Sequence, residues 1–356
     1  MGAALLAVAS ALPAAAQTPA KDLFSAETGP SAAKPQSIGF YSKGCIAGAL
    51  EMPKDGPTWQ VMKPSRHRAF AHPTMIAFLQ RLSRDAAAEA NWRGLLFGDM
   101  AQPRGGPMKD GHASHQIGLD ADIYLTEMPN RRLSRDERDT MPLPSVIDKT
   151  TRHIDLRRWR PEMGKLIRTA AEEPEVQRIF VHPGIKEQLC KTAGRDRAWL
   201  NKVRPMYGHD YHFHVRIVCQ PGSPNCEPQE STGTGDGCDK LDWWFDVALQ
   251  PPKPSSKPYR KPPPIFMSGL PKACSAVLKQ PDAGVSASAP SPVPAAAREP
   301  VPVTAFEAAP ERAPTPAPAA APRRLPPPPA AGAPDGFDAD APEAGGMPMP
   351  RFRPGG

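Results

Sequence analysis

Two stretches of the chain alternate apolar and polar residues with a period of two. In LDADIYL, Leu119, Ala121, Ile123 and Leu125 alternate with Asp120, Asp122 and Tyr124. Successive side chains of a strand point to opposite faces, so both carboxylates share the face away from the apolar layer. YHFHVRIV repeats the pattern, with Tyr211, Phe213, Val215 and Ile217 on one face and His212, His214 and Arg216 on the other. Elsewhere the period is helical. HPTMIAFLQRLSRDAAAEA places Met75, Ile76, Phe78, Leu79 and Leu82 on one stripe behind Pro73, and PEMGKLIRTAAEE starts at Pro161 and buries Met163, Leu166 and Ile167. WRGLLFGDM reads as a buried strand ending at Gly98, RIFVH as a short strand and IKEQLCKTA as a further helical segment. PRGGPMKDGHASH reads as a glycine-rich loop, and residues 127 to 158 as a polar excursion rich in Arg and Asp. The pattern predicts an α+β domain: an antiparallel sheet flanked by helices, with loops forming a groove over it.

Composition limits that domain to part of the 356 residues. From Pro281 to Gly356 there are 20 prolines in 76 residues, with abundant alanine and few aromatics. Such a stretch buries too little apolar surface to offset its ordering entropy, so residues 276 to 356 are expected to form a disordered, partly polyproline II tail. Residues 1 to 16 are small and apolar, end in AAA before Gln17, and are too short to span a bilayer; they read as a secretory signal that lacks its basic n-region. Residues 17 to 37 form an N-terminal arm, leaving 38 to 275 as the domain. The six cysteines, Cys45, Cys190, Cys219, Cys226, Cys238 and Cys274, show no CxxC spacing. In an exported chain that reads as three disulfides whose pairing the sequence leaves open. A net charge of +7 favours an anionic polymer. Nucleic acid is excluded as that partner because no basic run carries interleaved aromatics, and no stable membrane insertion is expected once the signal is removed.

The polar faces carry the chemistry. His115 and Asp122 in GHASHQIGLDADIYL, and His209, His212 and His214 in GHDYHFHVRIVC, supply the imidazole and carboxylate donors that a catalytic zinc takes as three protein ligands, with histidines to spare for proton transfer. His212 and His214 stand roughly 6.6 Å apart along their strand, so one can bind metal while the other faces the substrate. His67, His72 and His182 have no partner motif and read as packing or surface residues. Arg104 and Arg216 read equally as substrate-carboxylate clamps and as structural arginines. Trp243 and Trp244 read as a hydrophobic anchor for the C-terminal part, ahead of sugar stacking.

The ordered pair of motifs, HxxxxxxD at His115 to Asp122 and HxH at His212 to His214, resembles that of the metallopeptidases grouping lysostaphin, the D-Ala-D-Ala peptidases and the hedgehog domain. The words PTWQVM, GDMAQPRGGPM, GHASHQIGLDADI, RIFVHPGIKEQLC and HVRIVC are similar to those of the penicillin-insensitive murein endopeptidase family, over about residues 38 to 275. The resemblance implies a hedgehog-like zinc fold with one catalytic ion on His115, Asp122 and His214. It implies His209 and His212 as catalytic residues, His209 standing where the dipeptidases have a glutamate base. A second metal position near His112, with Asp148 and His153, is implied too. So are the disulfides Cys45 to Cys274, Cys190 to Cys238 and Cys219 to Cys226. The activity implied is a periplasmic, penicillin-insensitive zinc endopeptidase acting on peptidoglycan cross-links, D-alanyl to meso-diaminopimelyl and also diaminopimelyl to diaminopimelyl. A non-catalytic murein-binding module and a carboxypeptidase or dipeptidase are the competing readings.

Overall fold

The computed structural model describes residues 17–251 and 262–284, so the signal-like segment and the tail from residue 285 lie outside the described residues. The strands are β1 (Gln36–Phe40), β2 (Lys43–Ala47), β3 (Leu50–Glu51), β4 (Asp55–Gly56), β5 (Trp59–Val61), β6 (Phe70–Ala71), β7 (Leu95–Phe97), β8 (Asp120–Tyr124), β9 (Val176–Val181), β10 (Val203–Pro205) and β11 (His212–Ile217). The helices are α1 (Ala20–Phe24), α2 (Pro73–Glu89), α3 (Arg135–Thr140), α4 (Pro161–Glu172), α5 (Pro183–Thr192) and α6 (Lys272–Lys279). Seven strands form the central sheet in the order β10-β9-β11-β8-β7-β5-β4.

The sheet is mixed rather than antiparallel throughout. Its centre, β9-β11-β8-β7, is antiparallel as the alternation suggested, but β10 runs parallel to β9 and β5 parallel to β7. Parallel neighbours need a crossover connection, and the helices read from the sequence provide it: α2 links β5 to β7 and α5 links β9 to β10. The strands β5 and β10 are three residues each, too short to show a period.

Ala121, Ile123, Phe213, Val215 and Ile179 from one face of the sheet pack with Met75, Phe78, Leu79 and Leu82 of α2 and Leu166 and Ile167 of α4 in a single core. Each of these side chains larger than alanine contributes about 1.5–3 kcal/mol by leaving water, so the aliphatic face fixes which side of β8 and β11 is left for polar residues. Both crossover helices begin at a His-Pro pair. His72 Nδ1 accepts the Thr74 N–H at 3.2 Å, and His182 Nδ1 accepts the Gly184 N–H at 3.0 Å, the role a Ser or Asp side chain has at other helix starts. Two of the three histidines without a motif partner are thus helix caps, while the third, His67, is hydrogen-bonded through Nε2 to Thr28 O at 3.0 Å.

Three disulfides join Cys45 to Cys274, Cys190 to Cys238 and Cys219 to Cys226, the pairing that the resemblance implied. The first ties β2 to α6, and Arg104 reinforces it. Its guanidinium donates to the carbonyls of Val277, Leu278 and Gln280 at the end of α6, to Gly29 O, and pairs with Asp282 and Glu27. Arg104 is therefore structural and does not face a substrate. Helix α6 runs past residue 275 to Lys279, and Ser31 bridges Asp282, so the ordered body continues beyond the expected boundary. The polar excursion holds α3, started by a capping box between Ser134 and Glu137. The glycine-rich loop is buried through Met108, and Lys109 and Asp110 are exposed. At Gly105, with φ +64°, a Cβ would meet Gln116 O at 1.9 Å, and at Gly106, with φ +74°, the Phe24 ring at 2.2 Å.

A neutral Nδ1 is required for both caps, and burial pushes the pKa of His72 and of His182 down to about 4. Because these folded values lie below the unfolded one of about 6.5, the stabilisation is complete above pH 6.5 and is lost as pH falls toward 4. The thermal midpoint in chelating buffer is expected to fall by about 5 °C or more across that window, and a His72→Asn, His182→Asn variant, whose caps do not titrate, to show a flatter limb. Parallel melting curves of the two proteins check this.

Candidate metal centre

The polar face of β8 and β11 holds a cluster that the strand register assembles. His214 lies opposite Asp122 and Arg216 opposite Asp120, and paired residues project to the same side. His115 reaches the cluster from the loop before β8, in the left-handed backbone region at φ +63°. Its N–H donates to Asp120 Oδ2 at 3.1 Å, which holds that conformation. Asp120 Oδ1 accepts from His214 Nε2 at 2.9 Å and from Arg216 Nε at 2.7 Å. Burial alone would push the Asp120 carboxyl up; Arg216 and His214 outweigh it and hold the group well below the usual carboxylate range. With Nε2–H of His214 committed to this carboxylate, Nδ1 carries the ring's lone pair and faces the cluster.

Three donor atoms then form a triangle. His115 Nε2 lies 3.1 Å from His214 Nδ1 and 3.5 Å from Asp122 Oδ1, and His214 Nδ1 lies 3.7 Å from the same oxygen. Asp122 Oδ1 is buried without a hydrogen bond. A tetrahedral ion held at roughly 2.0–2.1 Å from each donor separates its ligands by about 3.3–3.4 Å, the mean size of this triangle. The donor set is thus compatible with a metal ion. Asp122 stays ionised despite burial because His212, His115 and His112 lower its pKa.

His112 stands on the other side of Asp122, its Nε2 3.5 Å from Oδ2, and His112, His115 and Asp122 together also have the spacing of a metal-holding group. Asp99 fixes His112: Oδ2 accepts from His112 Nε2 at 3.0 Å, from Arg66 at 3.0 Å and from Arg68 at 2.9 Å. The other residues of the expected second position are engaged away from it. Asp148 accepts the N–H groups of Thr150 and Thr151 in a turn, and His153 pairs with Glu187 at 2.8 Å and stacks on Phe245.

His209 and His212 complete the cluster, their rings 4.9 Å apart, with His212 Nε2 3.7 Å from Asp122 Oδ1. His209, at φ +53°, donates from Nδ1 to Tyr207 O at 2.7 Å. A carbonyl only accepts, so this bond fixes the tautomer and leaves the lone pair on Nε2. Arg216 is sandwiched over Tyr41 at 4.1 Å and Phe180 at 5.1 Å and donates to Gln229, which makes it part of the buried support rather than a clamp for substrate. Trp244 packs on Tyr207 at 5.2 Å. Asp120 and Asp99 are site carboxylates that sequence reasoning passed over, as it did Arg66, Arg68 and Tyr207. For Asp120 a signal existed, since the alternation put it on the face of Asp122. For Asp99, two residues past β7, none did.

A profile of the family described as penicillin-insensitive murein endopeptidase matches residues 37–279. Proteins of that name from Yersinia enterocolitica and Klebsiella pneumoniae are each 42 % identical, over 280 and 279 residues, covering 78 % of this chain and 96 and 97 % of the relative. One from Haemophilus influenzae is 43 % identical over 256 residues, 70 % of this chain and 84 % of the relative. The match spans every strand and helix that carries the cluster. The chain therefore belongs to the penicillin-insensitive murein endopeptidase family.

Proposed function

We propose that the protein is a zinc-dependent endopeptidase of the periplasm that hydrolyses the peptide cross-links of peptidoglycan, D-alanyl to meso-diaminopimelyl and also diaminopimelyl to diaminopimelyl. Peptidase activity on murein follows from family membership. The observation that carries the metal is the donor triangle with edges of 3.1, 3.5 and 3.7 Å around an oxygen that has no hydrogen bond. His115, Asp122 and His214 would hold the ion. The chemistry zinc supplies when bound is Lewis acidity, toward the scissile carbonyl and toward the attacking water.

The remaining residues divide the proton work. Nε2 of His209 accepts the proton of the water as it attacks the peptide carbon, and returns it to the leaving amine once the C–N bond breaks. His212 donates to the oxygen that becomes negative in the tetrahedral state. Asp120 keeps His214 in the tautomer that presents Nδ1, and Asp99 with Arg66 and Arg68 keeps His112 against Asp122. Neither role needs a serine nucleophile, which accords with the insensitivity to penicillin in the relatives' name.

Replacing His115, Asp122 or His214 by alanine should abolish stoichiometric zinc and hydrolysis of a cross-linked muropeptide dimer together, as read by elemental analysis and product chromatography. Full activity in any one of them removes it from the ligand set. Asp120→Asn should weaken zinc affinity about 10- to 100-fold, with activity recovering at high added zinc. By contrast His209→Ala should keep its zinc and lose on the order of 10²- to 10⁴-fold in kcat, with a changed acidic limb of the pH profile, because the imidazole must be neutral to accept a proton. A His209→Ala enzyme with a normal rate would assign the base elsewhere.

A further inference from the structure

The metal-bearing face continues beyond the cluster. Register carries it in a straight row across the sheet: Asp122 opposite His214, His214 opposite Phe180, and Phe180 opposite Arg204 on the edge strand β10. Paired residues share a face, so Arg204 projects to the side of the metal ligands, two strand spacings or about 10 Å from His214. An extended peptide covers that distance in about three residues.

Arg204 is half-buried, and among the described residues no carboxylate or carbonyl bonds its guanidinium; burial lowers its pKa with no acidic neighbour to offset it. It lines a cavity of about 360 Å³ together with Lys186, Thr232, Thr234 and Trp244. Lys186 is fully buried, its ammonium satisfied by the carbonyls of Leu200 at 2.7 Å and Asp236 at 2.5 Å. Of the acids of the lining, Asp236 is paired with Arg197 at 2.6 Å and accepts the Cys238 N–H at 3.0 Å, and Asp239 is exposed. The Arg204 guanidinium thus stands at the end of the row of metal ligands without a carboxylate partner among the described residues. Arginine's planar fork, left without a protein partner in a partly desolvated recess, suits a carboxylate. Trp244 lines the recess and packs on Tyr207, whose carbonyl holds His209, so one contact links the recess to the site.

We propose that this recess is a carboxylate-binding subsite for the peptide substrate, in which Arg204 grips a free carboxylate of the stem peptide about three residues from the scissile bond. The proposal rests on the murein-peptidase reading above. Arg204 acts here as a specificity-determining residue, outside the proton-transfer machinery. Because it has no partner within the fold, replacing it removes binding and leaves stability alone.

The test compares wild type, Arg204→Gln and Arg204→Lys on two purified cross-linked muropeptide dimers, one with its free stem carboxylates and one with them amidated. For the free-carboxylate dimer Arg204→Gln should lose about 10- to 100-fold in kcat/KM, mostly through KM. Arg204→Lys should recover part of that loss, and the amidated dimer should be cut equally by all three, with equal thermal midpoints. Equal discrimination between the dimers by wild type and Arg204→Gln overturns the subsite while leaving the peptidase reading intact. If neither dimer is cut by wild type, the peptidase reading fails instead. The subsite is then judged by calorimetric binding of the same dimers to chelator-treated protein, where loss of the free-carboxylate preference in Arg204→Gln supports it and unchanged binding overturns it.

Discussion

The pairing of β8 with β11 is the constraint on which the site depends. Asp122 and His214 meet because they are opposite each other, and both face away from the core because Ala121, Ile123, Phe213 and Val215 face into it. A slip of one residue would turn the two donors into the aliphatic layer and bring the aliphatics to the metal side. The energy that holds the register is therefore the burial of four apolar side chains against α2 and α4, and the chemistry occupies the face which that burial leaves over. Asp120 extends the same logic, since the alternation that exposes Asp122 to the cluster also places a second carboxylate beneath His214 and Arg216.

Much of this was legible in the sequence because period two is a strong signal in a five- or six-residue strand with one apolar face. The alternation in LDADIYL and YHFHVRIV located both central strands and sorted their faces, the helices α2 and α4 followed from apolar spacing behind proline, and IKEQLCKTA was read as the helical segment that is α5. What escaped was set by contacts distant in sequence. The strands β5 and β10 carry three residues each, and their parallel pairing is decided by crossover helices rather than by any local pattern. The glycines of PRGGPM read as an open loop, yet Gly105 and Gly106 are there because Gln116 and Phe24 leave no space for a Cβ. Arg104 and Arg216 could not be told from substrate clamps, since only the fold shows that α6 carbonyls and Asp120 already satisfy them.

The outer parts of the domain close on themselves through Arg104 and the Cys45 to Cys274 disulfide. One guanidinium answers three orphan carbonyls at the end of α6 while the disulfide links the same helix to β2. A cross-link closing so long a loop restricts the unfolded chain most. The N-terminal arm is drawn into the same joint, since Gly29 and Glu27 share Arg104 and Ser31 bridges Asp282.

Two of the cluster's histidines, His115 at φ +63° and His209 at φ +53°, occupy backbone that a glycine or asparagine would adopt more readily. For a residue with a Cβ that conformation costs on the order of 1–2 kcal/mol, so selection for stability alone would have emptied both positions of imidazole. The Asp120 and Tyr207 hydrogen bonds hold the two histidines in place against that cost. In evolutionary terms the cluster is the part of the chain that drift toward greater stability would erase first, and a relative that kept the fold while losing activity would be expected to carry glycine or asparagine at these two positions.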